Sequence, residues 1–262
     1  FAVAIAISIT PLLLPVILSS SLSKGALRMS KKKTIVKKLD SIQSFSSMNI
    51  LCTDKTGTLT EDKIVLERYL DVMGNEDLRV LKHAFLNAYF QTGLRSNIDE
   101  AVINHINEHG LSELSEKYTK IDEIPFDFAR RRLSVIVSDG QKTQMITKGA
   151  VEEILGISTM VDYQGNVSPI TNAIKENIKK ITKDLNKQGL RVVAVCQKNN
   201  LEKTSEFTVS DEKNMVLIGF IGFLDPPKES AKSSIEKLNK NGIRVIVLTG
   251  DNVEVTKCIC DK

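Results

Sequence analysis

Cysteine is scarce, with four residues in 262 and no CxxC spacing among Cys52, Cys196, Cys258 and Cys260. That excludes a disulfide-dense secreted scaffold and fits reduced, structural thiols in a cytosolic compartment. Histidine is scarcer still, and all three (His83, His105, His109) fall on expected helices of one internal segment. His105 and His109 have the i, i+4 spacing of a metal pair, but the intervening Glu of a zinc-protease motif is missing and no third ligand stands near in sequence. Tryptophan is absent, aromatic residues make up only 5%, and there is no internal repeat or low-complexity linker. With 42% hydrophobic and 26% charged residues the composition is still that of a folded chain, long enough for one or two domains. The net charge of +4 is a small remainder of 36 basic and 32 acidic residues, so the balance gives no reason to expect a nucleic-acid partner.

Charge is missing altogether from residues 1–23, and acidic residues are missing from 24–38, where Lys24, Arg28, Lys31, Lys32, Lys33, Lys37 and Lys38 follow one another. About 20 apolar residues cross a bilayer as a helix, and a Lys/Arg-rich flank marks the cytoplasmic side. A signal peptide would carry its positive region before the apolar run; a buried core helix is the remaining alternative. The sequence opens on Phe, so the expectation is a membrane span entered midway, in a fragment of a multi-pass plasma-membrane protein with residues after about 24 cytoplasmic. Pro11 and Pro15, in TPLLLP, are expected to break this helix and turn freed carbonyls toward a cavity where a cation binds.

The rest reads as α/β. MNILCT (48–53), GFIGFL (219–224) and IRVIVL (243–248) are apolar runs, each followed by a segment containing Asp: Asp54, Asp225 and Asp251. Three such strands suggest an open parallel sheet that binds ligands at its C-terminal edge. Residues 228–241 form a helical crossover stopped at Gly242. A second domain is expected as an insertion over 66–211. In it, Leu78, Leu81, Phe85, Ala88 and Tyr89 share a helical face, and Ile174, Ile178, Ile181 and Leu185 form a second stripe that stops at Gly189. Asp139-Gly140 between two alternating runs marks a hairpin.

The chemistry gathers at Asp54-Lys55-Thr56-Gly57-Thr58-Leu59-Thr60. A carboxylate at a strand end, facing a Gly-containing turn rich in hydroxyls and N–H groups, suits phosphoryl transfer: the turn cradles the phosphate while Asp54 attacks it. Asp251 and Asp54 suit Mg²⁺, which takes few carboxylates and completes its shell with phosphate and water. The Thr249 hydroxyl suits the incoming phosphoryl group. A purely structural turn is the competing reading of DKTG alone.

DKTGTLT resembles the phosphorylation motif of the P-type cation-transporting ATPases. Lys148-Gly149-Ala150, Asp225-Pro226-Pro227 and Thr249-Gly250-Asp251 follow in that family's order, after PxxLP in the apolar segment. The stretches IVKKLDSIQSFSSMNILCTDKTGTLTEDKI and IPFDFARRRLSV are most similar to the magnesium-transporting subclass, type IIIB. The resemblance covers essentially the whole chain. It implies a haloacid dehalogenase-like (Rossmann-type) phosphorylation domain with an inserted α+β nucleotide-binding domain, preceded by one transmembrane helix. The expected division is 1–23 for the membrane helix, 24–65 for the stalk and first part of the phosphorylation domain, 66–211 for the insertion and 212–262 for an incomplete second part.

Site residues follow from the same resemblance. Asp54 is the expected nucleophile, forming an aspartyl phosphate. Lys55, Thr56, Thr249 and Gly250 are expected at the phosphate, and Asp54, Thr56 and Asp251 at Mg²⁺. Phe126 is expected to stack on the adenine of ATP, with Arg132, Lys148, Gly149, Arg191 and Asp225 around the nucleotide. An aromatic face suits adenine and the run Arg130–Arg132 suits a polyphosphate, although core packing, a solvated face and a surface lysine are the plain alternatives for Phe126, the arginines and Lys148. Wider dehalogenase-type phosphatases carry a second Asp two residues after the nucleophile, acting as acid and base. Here Thr56 stands there, and its hydroxyl does not titrate near neutral pH. The intermediate should therefore persist until a glutamate of a separate actuator domain activates water, which favours a pump over a phosphatase.

The implied partners are ATP, a transported divalent cation, the lipid bilayer and the remainder of the pump, with no nucleic acid. Magnesium import is the first expectation; a calcium pump, a truncated nucleotide-binding module and a phosphatase are the alternatives. The family usually has Glu after the first proline of the broken helix, where this sequence has Leu12.

Overall fold

The computed structural model describes residues 2–61, 63–93, 95–108, 112–199, 201 and 206–261, of which 2–12, 46, 112 and 114 by their backbone alone. In chain order the elements begin with α1 (Ala2–Ser30), α2 (Ser41–Ser44), β1 (Ile50–Asp54), β2 (Val65–Asp71), α3 (Leu78–Phe90) and α4 (Asn97–Glu108). They continue with β3 (Thr119–Asp127), β4 (Arg132–Ser138), β5 (Thr143–Gly149), α5 (Val151–Ile157), β6 (Ser158–Tyr163) and β7 (Asn166–Pro169). The last six are α6 (Asn172–Lys187), β8 (Leu190–Asn199), β9 (Met215–Leu224), α7 (Glu229–Lys240), β10 (Arg244–Leu248) and α8 (Val253–Asp261). The chain divides into two compact units, residues 1–53 with 234–246, and residues 54–233 with 247–262.

In the first unit, α1 runs without interruption through Pro11 and Pro15. This corrects the expected break: each proline removes one donor from the ladder, and the remaining bonds of a 29-residue helix carry it past both. Among the described residues no helix is long and apolar enough to cross a membrane. The side chains of residues 2–12, Pro11 and Leu12 among them, lie outside the described residues. Strands β1 and β10 form a two-stranded sheet, and the Arg244 N–H donates to the Asn49 carbonyl at 2.8 Å.

The second unit is built on one eight-stranded sheet, ordered β3-β4-β5-β8-β9-β6-β7 with β2 also paired to β9. Its pairings are antiparallel except for β6 with β9. Here the sequence expectation needs its main correction. GFIGFL belongs to β9, the strand held between β8 on one edge and β2 and β6 on the other, and not to a parallel sheet with β1 and β10. The run is apolar on both sides because both faces of this sheet are covered, which an antiparallel sheet between helices requires as much as a parallel one does. The inserted sheet therefore extends to Leu224, beyond the expected limit of 211.

Alternation along β4 divides the core. Leu133, Val135 and Val137 pack with Val80, Leu81, Ala84 and Phe85 of α3 and Val102 and Ile106 of α4. Ile136 faces the opposite layer, with Met145, Ile154 of α5, Ile178 of α6 and Phe220. The expected hairpin is present: β4 and β5 pair in register around Asp139-Gly140, with Gly140 at φ 87°. The α6 stripe is present too, capped by Thr171 at its start and followed by Gly189 at φ 84°. On α3 the expected Leu81, Phe85 and Ala88 are buried, joined by Val80, Ala84 and Leu86, while Leu78 and Tyr89 are exposed, so the buried face is wider than the expected stripe and leaves out its two ends. His105 stacks edge-on against Tyr69 with centroids 5.9 Å apart; His109 lies outside the described residues.

Candidate functional site

The residues singled out in the sequence gather in two groups, both in the second unit. The first starts where β1 ends. Asp54 is extended and its side chain is exposed. Thr56 (φ −74°, ψ 127°) and Gly57 (φ 73°, ψ −11°) then adopt the dihedrals of a type II turn, whose second central position favours glycine. Thr60, fully buried, closes the loop: its N–H and hydroxyl both donate to the Lys55 carbonyl, at 3.1 and 3.3 Å, and its oxygen accepts the Gly57 N–H at 3.3 Å.

The loop is stitched to the segment that follows β9. The Glu61 N–H donates to the Pro226 carbonyl at 2.8 Å and the Lys228 N–H to the Leu59 carbonyl at 2.9 Å. The Lys228 ammonium donates to the Gly57 carbonyl at 2.6 Å. Sequence reading passed over both Lys228 and Thr60, although Lys228 directly follows the Asp-Pro-Pro string and Thr60 ends the motif itself.

Lys55 lies at the centre of this group. Its side chain is 1% exposed, with Nζ 2.7 Å from Asp225 Oδ2 and 2.6 Å from Asp251 Oδ2. Burial pulls its pKa down, but the hydrogen bonds and charges of Asp225 and Asp251 outweigh burial and hold it above the ordinary lysine value. Two of the three donors of this ammonium are thus directed at carboxylates, where the sequence suggested a phosphate contact. Asp251 follows β10; its N–H donates to the Thr249 hydroxyl at 3.1 Å, and Gly250 between them is exposed. Arg191, on β8 and half exposed, brings Nη1 to 4.0 Å from Asp251 Oδ1. The other oxygen of Asp225, Oδ1, is buried and has no hydrogen-bond partner.

Among the described residues there is no ready-made cluster of three or more His, Cys, Asp or Glu side chains for a metal. Mg²⁺ needs none, since it is held by one or two carboxylates together with substrate phosphate and water. The carboxylates of Asp54 and Asp251 and the Thr56 carbonyl are hard oxygen donors of the required kind, so the donor set fits.

The second group occupies one end of the eight-stranded sheet, where register places Asp127 opposite Arg132 and Arg132 opposite Gly149. A Cβ on Gly149 would stand 2.6 Å from the Arg131 carbonyl oxygen, so only glycine fits this crossing. Phe126 is half exposed. The Lys148 ammonium is nearly buried and bonded to Asp99, a partner that sequence reading did not find. Burial lowers the Lys148 pKa, and Asp99 opposes the shift. Arg130 and Arg132 form no free cationic surface: both bind the buried carboxylate of Glu212. Arg131 alone of the three is mostly exposed, 4.0 Å from Glu153.

The family model described as "P-type ATPase, cytoplasmic domain N" matches residues 41–230. The chain is similar to the magnesium-transporting ATPase, P-type 1, of Escherichia coli (strain K12), with 46% identity over 261 residues, covering 99% of this chain and 29% of that protein. The protein of the same description from Salmonella typhimurium (strain LT2) is likewise 46% identical over 99% of the chain and 29% of its own length. Calcium-transporting ATPase 1 of Lactococcus lactis subsp. lactis is 32% identical over 277 residues, 99% of this chain and 31% of that protein. The chain thus spans a little under a third of the curated relatives it matches.

Proposed function

The chain belongs to the P-type ATPase family, and on that footing we propose that it is part of an ATP-driven membrane cation pump that forms an aspartyl phosphate at Asp54 and imports Mg²⁺. The observation that carries this reading is the buried Lys55, which holds Asp225 and Asp251 within 2.7 Å and so draws three motif segments around the loop that begins at Asp54.

A carboxylate oxygen of Asp54 attacks the terminal phosphorus of ATP. The new O–P bond forms as the bond to the bridging oxygen breaks, and ADP leaves with the electron pair. The type II turn at Thr56-Gly57 offers hydroxyl and N–H groups to the transferred phosphoryl group, and Thr249 and Gly250 face it from the segment after β10. Mg²⁺, held by Asp54, the Thr56 carbonyl and Asp251, would neutralise phosphate charge. Phe126 takes the adenine, with Lys148, Gly149, Arg132, Arg191 and Asp225 completing the nucleotide site. Thr56 offers no titratable group to hydrolyse the acyl phosphate, so the intermediate waits for a base supplied by another part of the pump.

In this reading residues 24–65 and those after Leu224 form a dehalogenase-like phosphorylation domain around the nucleotide-binding insertion. Residues 1–23, which carry no charged side chain, belong to a plasma-membrane span, with residues after about 24 on the cytoplasmic side. Magnesium is preferred over calcium because relatives named for magnesium transport are 44–46% identical and relatives named for calcium transport are 28–32% identical. A soluble phosphatase is disfavoured by the family and by Thr56. The test is incubation with γ-labelled ATP and Mg²⁺ in the intact pump. Acid-stable label is expected on the wild type and none on Asp54→Asn; an unlabelled wild type refutes the proposal.

A further inference from the structure

The turn between β3 and β4 presents two aromatic rings to solvent. Phe126 is 51% exposed and Phe128 is 89% exposed, with centroids 5.3 Å apart and planes at 85°. Rings this exposed gain little from packing, so their position is set by the backbone that carries them. That backbone is held closely. Asp127 Oδ1 accepts the N–H groups of Ala129 and Arg130, each at 2.9 Å, and the Arg131 N–H donates to the Asp127 carbonyl at 2.7 Å. Arg130 Nη2 donates to the Pro125 carbonyl at 2.6 Å. Arg131 itself has φ 49°, a left-handed conformation that a non-glycine residue keeps only when its surroundings enforce it.

The enforcing group lies far along the chain. Glu212 has a fully buried carboxylate, 80 residues beyond Arg132. It accepts two bonds from Arg130 Nη1, at 3.0 and 2.8 Å, one from Arg132 Nε at 2.7 Å and one from the Ser134 hydroxyl at 2.6 Å. One carboxylate therefore pins the residues on both sides of the strained Arg131. A buried ion triad is poor value as plain stabilisation, because desolvation offsets most of the attraction. Fixing geometry is what this arrangement does well.

We propose that Glu212 is a positioning residue: it holds the turn so that Phe126 and Phe128 form a two-ring platform for a purine base, Phe128 being the second ring. The proposal rests on the reading of Phe126 as the adenine contact. It predicts that affinity for the base-bearing donor depends on Glu212, while use of a base-free phosphoryl donor does not.

The test compares ATP affinity with labelling of Asp54 by acetyl phosphate, in the intact protein. Glu212→Gln is expected to weaken ATP binding about tenfold, inside the range of base–aromatic stacking, and to leave acetyl phosphate labelling unchanged. Phe128→Ala is expected to weaken ATP binding several-fold. Should Glu212→Gln fail to fold, Arg130→Lys serves instead: it keeps the charge beside Glu212 but loses the two-pronged contact and the reach to Pro125. Equal loss with both donors makes Glu212 a general structural group and overturns the proposal, as does no loss with either. If Phe126→Ala itself leaves ATP affinity unchanged, the adenine reading fails first; if it weakens binding while Glu212→Gln and Arg130→Lys do not, only the positioning role falls.

Discussion

Replacing Lys55 with methionine isolates the central contact of the loop that begins at Asp54. The ammonium lies 2.7 and 2.6 Å from two carboxylates and its side chain is 1% exposed. At an effective dielectric constant of about 20, each pair attracts by about 6 kcal/mol. Desolvation of the ions removes most of that sum, but taking away one partner leaves the others buried and uncompensated, and such changes cost about 3–5 kcal/mol. Urea unfolding followed by circular dichroism should show a loss of that size at neutral pH. The pH dependence gives a second check. Because the folded pKa of Lys55 is raised, its contribution is complete below the ordinary value of 10.5 and fades only as pH climbs through the higher folded value. The gap between wild type and variant should therefore hold steady from neutral pH up to about 10 and shrink only above it. A gap below about 1 kcal/mol at neutral pH, or one that fades well below pH 10, would refute the ion-triad account.

Two further outcomes follow from buried groups. Burial alone would raise the Asp99 carboxyl, but the charge and hydrogen bond of Lys148, with those from Ser96, hold it below the ordinary 3.8. A depressed value stabilises the fold above 3.8 and stops doing so as pH falls through the folded value, so the wild type should lose stability in acid more steeply than Asp99→Asn; parallel acid-unfolding curves count against it. Burial pushes the Cys196 thiol up to about 12, whereas Cys52 and Cys260 are exposed. Iodoacetamide at mildly alkaline pH should modify Cys52 and Cys260 and spare Cys196 in the folded chain, and mass spectrometry showing early modification of Cys196 would contradict the packing around it.

Local signals in the sequence translated well into structure. Asp139-Gly140 does mark the β4–β5 hairpin, the isoleucine stripe does define α6, and the glycine of DKTG does sit where the chain needs φ 73°. The errors came where one pattern serves two structures. A run such as GFIGFL satisfies any strand with both faces covered, so periodicity could not say which sheet receives it. Prolines in a long helix read as a break because their effect was judged locally. Partnerships between distant charges left no trace at all: Asp99 finds Lys148 across 49 residues and Glu212 finds Arg132 across 80. Those contacts pair two of the expected nucleotide ligands, Lys148 and Arg132, with carboxylates of this same chain. The motif residues were legible because their chemistry is written in consecutive letters, and their neighbours were not.

Strand β9 runs through the interior of the large sheet, and Asp225 is the residue immediately after its last one, Leu224. No linker intervenes between a rod clamped on both edges and the carboxylate that grips the Lys55 ammonium. A tug or rotation felt by that rod would reach the Asp54 loop with almost no slack to absorb it, as a rigid lever passes on force where a cord would go loose.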